Sequence, residues 1–335
     1  MDISFIIPAY NAEKSIGATL ESICALSLPT SSFEIIVVDD ASMDNTVQVI
    51  EEYRERLRIS NIILLQQAKN KRQGAARNRG LSVANGKYVT FVDADDLVMP
   101  GLVKAFEYAL SMDVDMLHCG MILQRGKEEY AVVSNAPKNE VMSAHTFCEE
   151  YHTVETCQSP CSYLYKNAFL QRVAIPFSEG RRMEDTDWVE KHLCAADTIA
   201  CLDDVIYTYL ENTSSTMHTT KYDTCADWWH FSYRRLRYVS EISDKYSRYA
   251  ERIREAAIGG IYANTTLRRL TRFSMPDYWR IRQRCGKDCT SYLAQCKWGG
   301  FTNLVINWPI VTTIILAVAC PIARLGRMIV QGTRR

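Results

Sequence analysis

The chain has 335 residues, enough for one large domain or two ordinary ones, and its 47% hydrophobic content is typical of a globular protein with a full core. Lysine plus arginine equals aspartate plus glutamate, at 39 each, so the formal net charge is zero. Twelve cysteines are present, but their spacing excludes a zinc ribbon, and the chain begins with the apolar run ISFIIPAY rather than with a signal peptide. We therefore interpret the thiols as reduced, cytosolic and mostly small core residues.

The zero net charge hides an uneven distribution. From Cys225 to the C-terminus there are 19 Lys or Arg against 7 Asp or Glu, a net charge of +12, so residues 1–224 carry −12. This asymmetry predicts two parts with different partners, the basic part facing anionic lipid or nucleic acid. Because no nucleic-acid-binding motif accompanies the basic residues, we expect no nucleic-acid partner.

Strand-like and helix-like segments alternate along the first half of the chain. Near-continuous apolar strands between amphipathic helices predict an α/β fold with a mostly parallel sheet that is covered on both faces. A helix that begins at Pro100, one further strand and an edge hairpin follow. The predicted strands are 4–8, 33–40, 61–66, 87–93, 115–124 and 128–134, and the predicted helices are 12–26, 43–57, 73–85 and 100–111.

Polar and aromatic residues follow three of these strands. In an open α/β sheet, ligands bind beyond the carboxyl ends of the strands, so these residues are expected on one rim. Taken singly, an Asp pair after a strand is often a helix cap, and a tyrosine there usually packs. Together they indicate a binding site. The rim residues are Pro8, Ala9, Tyr10 and Asn11 after the first strand, Asp39 and Asp40 after the second, and Asp93, Asp95 and Asp96 after the fourth.

The chemistry of this rim suits a metal–nucleotide complex. Carboxylate oxygens are the ligands that Mg²⁺ or Mn²⁺ prefers, and Mg²⁺ usually takes one or two of them together with waters and substrate phosphates. On the same rim, an aromatic ring could stack on a nucleotide base, and acidic side chains could accept hydrogen bonds from the base and the ribose. The sequence lacks G-x-x-x-x-G-K-[ST], and it lacks G-x-G-x-x-G after the first strand, so a P-loop protein and a Rossmann dehydrogenase are disfavoured.

Five ordered segments carry a family resemblance. SFIIPAYNAEKSIGATLESI, EIIVVDDASMDNT and GAARNRGLSVANGKYVTFVDADD resemble the inverting family 2 glycosyltransferases with the GT-A fold, over at least residues 3–110. The resemblance resumes in IPFSEGRRMEDTDWVEKHL and DDVIYTYLENTSSTMH. It implies a GT-A nucleotide-sugar-binding and catalytic domain, which we place at residues 1–224.

The resemblance also implies a role for each matching residue. Asp93 and Asp95 are the D-x-D pair, in which Asp93 would approach the ribose and Asp95 would ligate Mn²⁺ or Mg²⁺. Asp185 would be the general base, with Glu184 as its acidic neighbour. The other implied contacts are Pro8, Asn11 and Ala94 at the nucleotide sugar, Tyr10 on the base, Asp40 at the base edge, Arg77 bracing the base pocket, Asp96 in a supporting or capping position, and His218 on the metal or a phosphate.

Two of these roles have structural alternatives, and one residue departs from the family pattern. Asp185 lies in the first turn of a predicted amphipathic helix, where the helix dipole favours acids in any case. A lone histidine such as His218 is more often structural. Tyr163 stands where many relatives carry a lysine, so the donor sugar or the acceptor could differ here.

The implied reaction moves a sugar from a nucleotide-diphospho-sugar, with a UDP-sugar expected, to a hydroxyl of a glycan or polyprenyl-linked acceptor. The setting would be surface polysaccharide or glycoconjugate synthesis. Two alternatives stay open. A sugar nucleotidyltransferase would need an early glycine-rich basic loop, which PAYNAEKS is not. A non-catalytic membrane adaptor with this fold is disfavoured because Asp93, Asp95 and Asp185 are all present.

The C-terminal third predicts contact with a membrane surface. Residues 225–300 are basic, helical in pattern and interleaved with Trp and Tyr, as at membrane interfaces. The uncharged stretch 303–323 has about the length that a spanning helix needs, but Pro309 and Pro321 interrupt it. We expect the tail 301–335 to associate with the cytoplasmic face of the membrane without crossing, because arginines follow the stretch. The alternative is a core or dimer helix at 305–323.

Overall fold

The computed structural model describes most of the chain, in two compact units that span Met1–Asn212 and Thr213–Arg335. Each unit has its own secondary structure. The described residues are 1–26, 28–57, 61–153, 158–211, 222–265, 275–310, 312–313 and 315–316. His218 and residues 317–335 of the predicted tail lie outside the described residues.

The first unit alternates strands and helices along its described residues. Its strands are β1 Ile3–Ala9, β2 Phe33–Asp39, β3 Ile62–Gln66, β4 Tyr88–Phe91, β5 Leu97–Val98, β6 Met116–Arg125, β7 Glu128–Val132, β8 Val141–Ser143, β9 Tyr163–Lys166 and β10 Thr198–Leu210. Its helices are α1 Ile16–Cys24, α2 Thr46–Leu57, α3 Arg72–Leu81, α4 Gly101–Met112, α5 Ala144–Thr146, α6 Asn167–Val173 and α7 Glu184–Ala195.

The strands form one mixed sheet in the order β3-β2-β1-β4-β9-β6-β10-β5, with β7 on β6 and β8 on β10. The β3-β2-β1-β4 part is parallel, which confirms the prediction for the first four strands. Every residue of β1 and of β2 is buried, as expected for a parallel sheet covered on both faces. The register pairs Ala9 with Asp39 and Ile6 with Phe91, so these carboxyl ends meet at one edge.

The second half of the sheet contains strands that local patterns did not predict. Strand β9 lies antiparallel between β4 and β6 and has only four residues, too few for a clear period. Strand β10 runs parallel to β6 and pairs antiparallel with the two-residue strand β5. Tyr163, at the position of the family lysine, is fully buried in β9, and its ring centroid lies 4.7 Å from that of His118.

The second unit is helical in its described residues, as the sequence predicts for the basic region. A buried apolar cluster that includes Trp229, Ile261, Tyr278 and Leu293 forms its core. Helix α8 packs on α9 and α10, and α11 and α12 close the group. The helices are α8 Tyr222–Ile242, α9 Ser247–Thr265, α10 Met275–Cys285, α11 Lys287–Gln295 and α12 Gly300–Asn307.

The first part of the uncharged C-terminal stretch packs into this core. Val305 and Ile306 of α12 are buried, and the Tyr278 hydroxyl donates to the Val305 carbonyl at 2.7 Å. The helix ends at Asn307, two residues before Pro309, while Trp308 and Ile310 are exposed. Among the residues that the structure describes, none of the helices has both the length and the apolar character that crossing a bilayer requires.

This packing predicts different costs for two neighbouring truncations. Ile306→Ala should lower the free energy of unfolding of the second unit by about 2–4 kcal/mol, because it leaves a cavity in the core. Ile310→Ala, the matched control at a site that is 70% exposed, should change it by less than about 0.5 kcal/mol. Urea unfolding followed by tryptophan fluorescence measures both, since five of the six tryptophans lie after residue 212. Equal small effects would contradict the core position of Ile306.

Candidate active site

The loops after β1 and β2 are locked together at the rim. The Asn11 backbone N–H donates to Ser42 Oγ at 2.9 Å, and the Met43 N–H donates to Asn11 Oδ1 at 2.8 Å. Asn11 and Ala41 both adopt positive φ, of 50° and 61°. Tyr10 lies beside this lock and is 44% exposed, whereas Pro8 is buried within β1. The tyrosine ring is therefore presented to solvent from a fixed loop.

Asp40 fixes a third loop to the same edge. Its Oδ1 accepts from Gln67 Nε2 at 2.7 Å and from the Lys71 backbone N–H at 2.8 Å, and the residue is 2% exposed. Burial raises the pKa of Asp40, although the Lys71 N–H opposes this. Sequence patterns did not identify Gln67 or Lys71 as its partners. Asp40 thus holds the loop after β3 against the end of β2.

The acidic cluster after β4 divides into three environments. The Asp93 side chain is 25% exposed and Asp95 is exposed, while Ala94 between them is buried. Although Asp95 is exposed, the surrounding protein reduces the hydration of its carboxyl, and Asp93 adds like charge, so the pKa of Asp95 is raised to about 6. Among the described residues, no ion pair reaches Asp95. This carboxylate is the one most open to an incoming ligand.

Asp96 points the other way and is fully buried. It accepts from the Tyr207 hydroxyl and, at 2.8 Å, from the Leu210 backbone N–H. Burial, with a smaller contribution from Asp93, raises the pKa of Asp96 to about 8. Asp96 is therefore a structural member of the cluster, in line with the supporting role that the sequence implied.

The buried guanidinium of Arg77 joins the two acidic motifs. Its Nη2 donates to Asp93 Oδ1 at 2.8 Å and its Nη1 to Glu184 Oε1 at 2.5 Å. The Arg77 side chain is 3% exposed. Burial lowers the pKa of Arg77, but Asp93 and Glu184 outweigh it and hold this pKa above its ordinary value. The acidic cluster therefore has a cationic partner, which lies 16 residues from Asp93 along the chain.

Aromatic packing brings the second acidic motif to this arginine. The Phe177 and Trp188 rings stack with centroids 4.1 Å apart, and both meet Phe91 of β4 edge to face. Gly74 of α3 permits the approach, because a Cβ there would lie 2.3 Å from the Ser178 carbonyl oxygen. The segment before α7 is thereby pressed against α3, and the first residue of α7, Glu184, reaches the Arg77 guanidinium.

Glu184 and Asp185 occupy different environments at the start of α7. Glu184 is 2% exposed, and its burial outweighs the attraction of Arg77 and raises its pKa to about 7. Asp185 is half-buried, and desolvation raises its pKa while Arg77 opposes the rise. The Asp185 Oδ1 accepts the Thr186 N–H at 2.9 Å. Met183, which caps the helix, has a φ of 63°, so the backbone is strained where the motif begins.

The carboxylates after β4 fit a divalent cation that binds together with substrate phosphates. No group of three or more His, Cys, Asp or Glu able to hold a metal is present in the part of the chain that the structure describes. Mg²⁺, however, needs only one or two carboxylates when substrate phosphates complete its shell. The exposed Asp95 carboxylate, with Asp93 beside it, meets that requirement. His218, the other predicted ligand, lies outside the described residues.

A family model for "Glycosyl transferase family 2" matches residues 4–170 of the chain. Among curated relatives, the glycosyltransferase EpsJ of Bacillus subtilis is 29% identical over 218 residues, 64% of this chain and 62% of its own length. The poly(ribitol-phosphate) β-N-acetylglucosaminyltransferase TarS of Staphylococcus aureus is 31% identical over 213 residues, 62% of this chain and 35% of its own length. The chain thus covers less than two thirds of either relative.

Solved structures show the same fold. Staphylococcus aureus TarS 1–349, in complex with UDP-GlcNAc, matches with a TM-score of 0.65 and 22% identity over 97% of this chain and 92% of that chain. A mannosyltransferase from Pyrobaculum calidifontis, in complex with GDP-Man and Mn²⁺, matches with a TM-score of 0.53 and 16% identity over 96% and 86%. The first unit therefore has a GT-A-like α/β fold with a mostly parallel mixed sheet, as predicted.

The contacts of Arg77 predict a pH-dependent loss of stability. Arg77→Met should lower the free energy of unfolding by about 3–5 kcal/mol at pH 8, since it leaves buried carboxylates without their cation. Because the Glu184 pKa rises from 4.5 to about 7 on folding, ionisation of Glu184 opposes folding as pH rises through that window. The loss should therefore be smaller at pH 5, where Glu184 is protonated.

Urea unfolding at pH 5 and pH 8 measures this difference. Arg79→Met is the matched control, because Arg79 is exposed on the same helix. It should change the unfolding free energy by less than about 0.5 kcal/mol at either pH. A pH-independent loss in Arg77→Met would contradict the assigned ion pair with Glu184.

Proposed function

We propose that this chain, which belongs to glycosyl transferase family 2 and is a glycosyltransferase, moves a sugar from a nucleotide-diphospho-sugar to an acceptor hydroxyl with inversion. The observation that carries the proposal is the meeting of two acidic motifs on one buried arginine. Asp93 and Glu184 are both bonded to Arg77, which leaves Asp95 and Asp185 for chemistry. A displacement at a sugar carbon needs carboxylates for two tasks, one set at the departing diphosphate and one at the acceptor.

The donor side is the rim after β1, β2 and β4. Tyr10 offers an exposed ring to the base, and the buried Asp40 carboxyl, at the end of β2 on the same edge, is the proposed acceptor at the base edge. We favour UDP as the nucleotide. The supporting observations are the similar fold of the TarS structure with UDP-GlcNAc and the 31% identity to TarS over 213 residues.

Mn²⁺ or Mg²⁺ is the proposed cofactor, held by Asp95 with Asp93 beside it. When bound, the cation would neutralise charge that develops on the diphosphate. The raised pKa of Asp95 supports this assignment, because a carboxylate that is costly to ionise alone gains from a cation. The fold is also that of a mannosyltransferase whose structure contains GDP-Man and Mn²⁺.

Asp185 is the proposed general base. It is half-buried at the start of α7, and Glu184 beside it is held by Arg77, so the direction of the helix end is fixed. Its raised pKa makes the carboxylate a stronger proton acceptor than a solvated aspartate. The acceptor hydroxyl would give its proton to Asp185 as its oxygen attacks the anomeric carbon and the nucleotide diphosphate departs. Attack opposite the leaving group inverts that carbon.

The proposed acceptor is a glycan or a polyprenyl-linked sugar in surface polysaccharide or glycoconjugate synthesis. The support is the relative TarS, whose name states a poly(ribitol-phosphate) acceptor. Family membership disfavours the nucleotidyltransferase alternative, and the sequence has no early glycine-rich basic loop for a triphosphate.

Two substitutions separate binding from proton transfer. Asp95→Asn should weaken binding of the Mn²⁺–UDP complex by about tenfold or more, because it removes a charged ligand oxygen. Asp185→Asn should leave that binding within about twofold and lower kcat by about 10²-fold or more. Calorimetry with Mn²⁺ and UDP measures binding, and release of nucleoside diphosphate from a panel of nucleotide sugars measures turnover.

The same helix supplies a control for the base. Asp187→Asn changes a carboxylate two residues away, which pairs with Lys191 at 2.8 Å, and should keep kcat within about threefold. Loss of UDP binding in Asp185→Asn with unchanged kcat would reassign Asp185 to the donor. Full turnover of wild-type protein in excess EDTA would remove the cation from the proposal.

We also propose that the second unit rests on the cytoplasmic face of a membrane. The support is the net charge of +12 after residue 224, together with the exposed side chains of Trp308 and Ile310. Lys and Arg attract anionic lipid headgroups, and tryptophan favours the headgroup region.

Sedimentation with lipid vesicles tests the membrane proposal. Full-length protein should bind vesicles that contain anionic phosphatidylglycerol, with binding reduced by added salt, and should not bind pure phosphatidylcholine. Replacing both Trp308 and Ile310 by Ala should weaken binding by about tenfold. Trp279→Ala, another tryptophan that is 44% exposed, is the control. Equal binding to both vesicle types would contradict the electrostatic contribution.

A further inference from the structure

A tyrosine hydroxyl lies inside the loop that carries the D-x-D motif. The Asp93 backbone N–H donates to Tyr207 Oη at 3.3 Å, and the Tyr207 hydroxyl donates to Asp96 Oδ2. Tyr207 belongs to β10, more than 110 residues away along the chain, and is 2% exposed. One buried hydroxyl therefore joins the first residue of the motif to the residue that follows its last.

The Tyr207 hydroxyl acts as both donor and acceptor in these two hydrogen bonds. A phenolic oxygen has one hydrogen to donate and lone pairs that accept, and here it donates to a carboxylate and accepts from an amide. The two partners are three residues apart, with Asp95 between them. The two ends of the turn that presents the Asp95 carboxylate to solvent are thus joined by a hydroxyl that lies outside the loop.

The rest of the loop is anchored to the same strand. Strand β5 pairs Val98 with Tyr207, and the Met99 N–H donates to the Ile206 carbonyl at 2.9 Å. The Leu210 N–H reaches Asp96 Oδ1 at 2.8 Å. These contacts hold residues 96–99, which follow the motif. Asp93, at the start of the turn, reaches β10 through the tyrosine hydroxyl.

We propose that Tyr207 is a positioning residue for the D-x-D motif, which sets the direction of Asp93 and Asp95 toward the donor diphosphate and its cation. This inference rests on the donor site proposed above and adds to it Tyr207, a residue of the segment DDVIYTYLENTSSTMH that lies outside the D-x-D motif itself. Without the hydroxyl, the Asp93 amide and the Asp96 carboxylate each lose a partner, and the turn between them can shift. The expected consequence is weaker donor binding, since the change lies at the donor motif and not at the proposed base Asp185.

A purely structural role for Tyr207 makes a different prediction, and the chain offers a matched control. Tyr88 begins β4, the strand that leads into the motif, and is also 2% exposed. Its single hydroxyl hydrogen is shared between the carbonyls of Ala109 at 2.8 Å and Val114 at 2.9 Å, neither of which belongs to the motif. Removing either hydroxyl takes a hydrogen-bond partner from two buried groups, so both variants should lose stability.

The experiment compares Tyr207→Phe and Tyr88→Phe in the full-length protein. Calorimetric titration with UDP in the presence of Mn²⁺ should show about tenfold weaker binding for Tyr207→Phe and binding within about twofold of wild type for Tyr88→Phe. In steady-state assays, the donor KM of Tyr207→Phe should rise while kcat falls by less than about threefold. Urea unfolding gives the stability of both variants.

Wild-type binding by Tyr207→Phe, or equal weakening in Tyr88→Phe, would overturn the inference. If Tyr207→Phe does not fold, Asp96→Asn replaces it. The Tyr207 hydroxyl and the Leu210 N–H donate to different oxygens of Asp96, and an asparagine side chain has only one oxygen to accept them. That variant should weaken Mn²⁺–UDP binding by about threefold or more, and unchanged binding would likewise overturn the inference. Failure of the wild-type protein to bind UDP with Mn²⁺ would overturn the proposed donor site itself.

Discussion

The active-site geometry depends on one buried cation. Arg77 is 3% exposed and is bonded to Asp93 after β4 and to Glu184 at the start of α7, which lie 91 residues apart in the chain. A buried ion pair contributes little net stability, because desolvation offsets most of the attraction, but a buried carboxylate without its partner is costly. The ion pairs of Arg77 therefore add little to the free energy of unfolding, but they disfavour every conformation in which one of the three charges loses its partner. Any shift of α3, β4 or α7 relative to the others would leave a charge unpaired.

The same interaction divides the work within each acidic motif. Arg77 bonds directly to Asp93 and Glu184. Its charge opposes the rise in the pKa of Asp185, and no ion pair within the described residues reaches Asp95. Reduced hydration and the negative charge of Asp93 raise the pKa of both Asp95 and Asp185. In the proposed reaction one of them meets a cation and the other accepts a proton, and each gains from being costly to ionise alone. In each motif, the carboxylate that is bonded to Arg77 thus fixes the position of the neighbouring carboxylate that would take part in the reaction.

The sequence predicted the elements that have a local pattern. Strands β1 to β4 and the rim residues at their ends follow from short apolar runs and the rule for parallel sheets. The pairing of Arg77 with Glu184, and of Tyr207 with Asp96, could not be predicted, because partners 107 and 111 residues apart leave no local signal. Apolar composition also fails to distinguish lipid from protein interior, so Ile306 could be placed in a core only from its contacts.

Of the seven non-glycine residues with positive φ in the described part of the chain, Asp113, Asn139 and Ala174 lie elsewhere and four lie near the rim. Asn11, Ala41, Arg72 and Met183 all have positive φ, and each lies in a loop or helix start at the rim. For residues other than glycine this conformation costs on the order of 1 kcal/mol each, so surrounding contacts must hold it. Those contacts are the Asn11–Ser42 lock, the Asp40 bonds to the loop before Arg72, and the Arg77–Glu184 pair after Met183. The rim is therefore kept in a conformation that its own backbone disfavours, at the positions where the proposed donor and acceptor would meet.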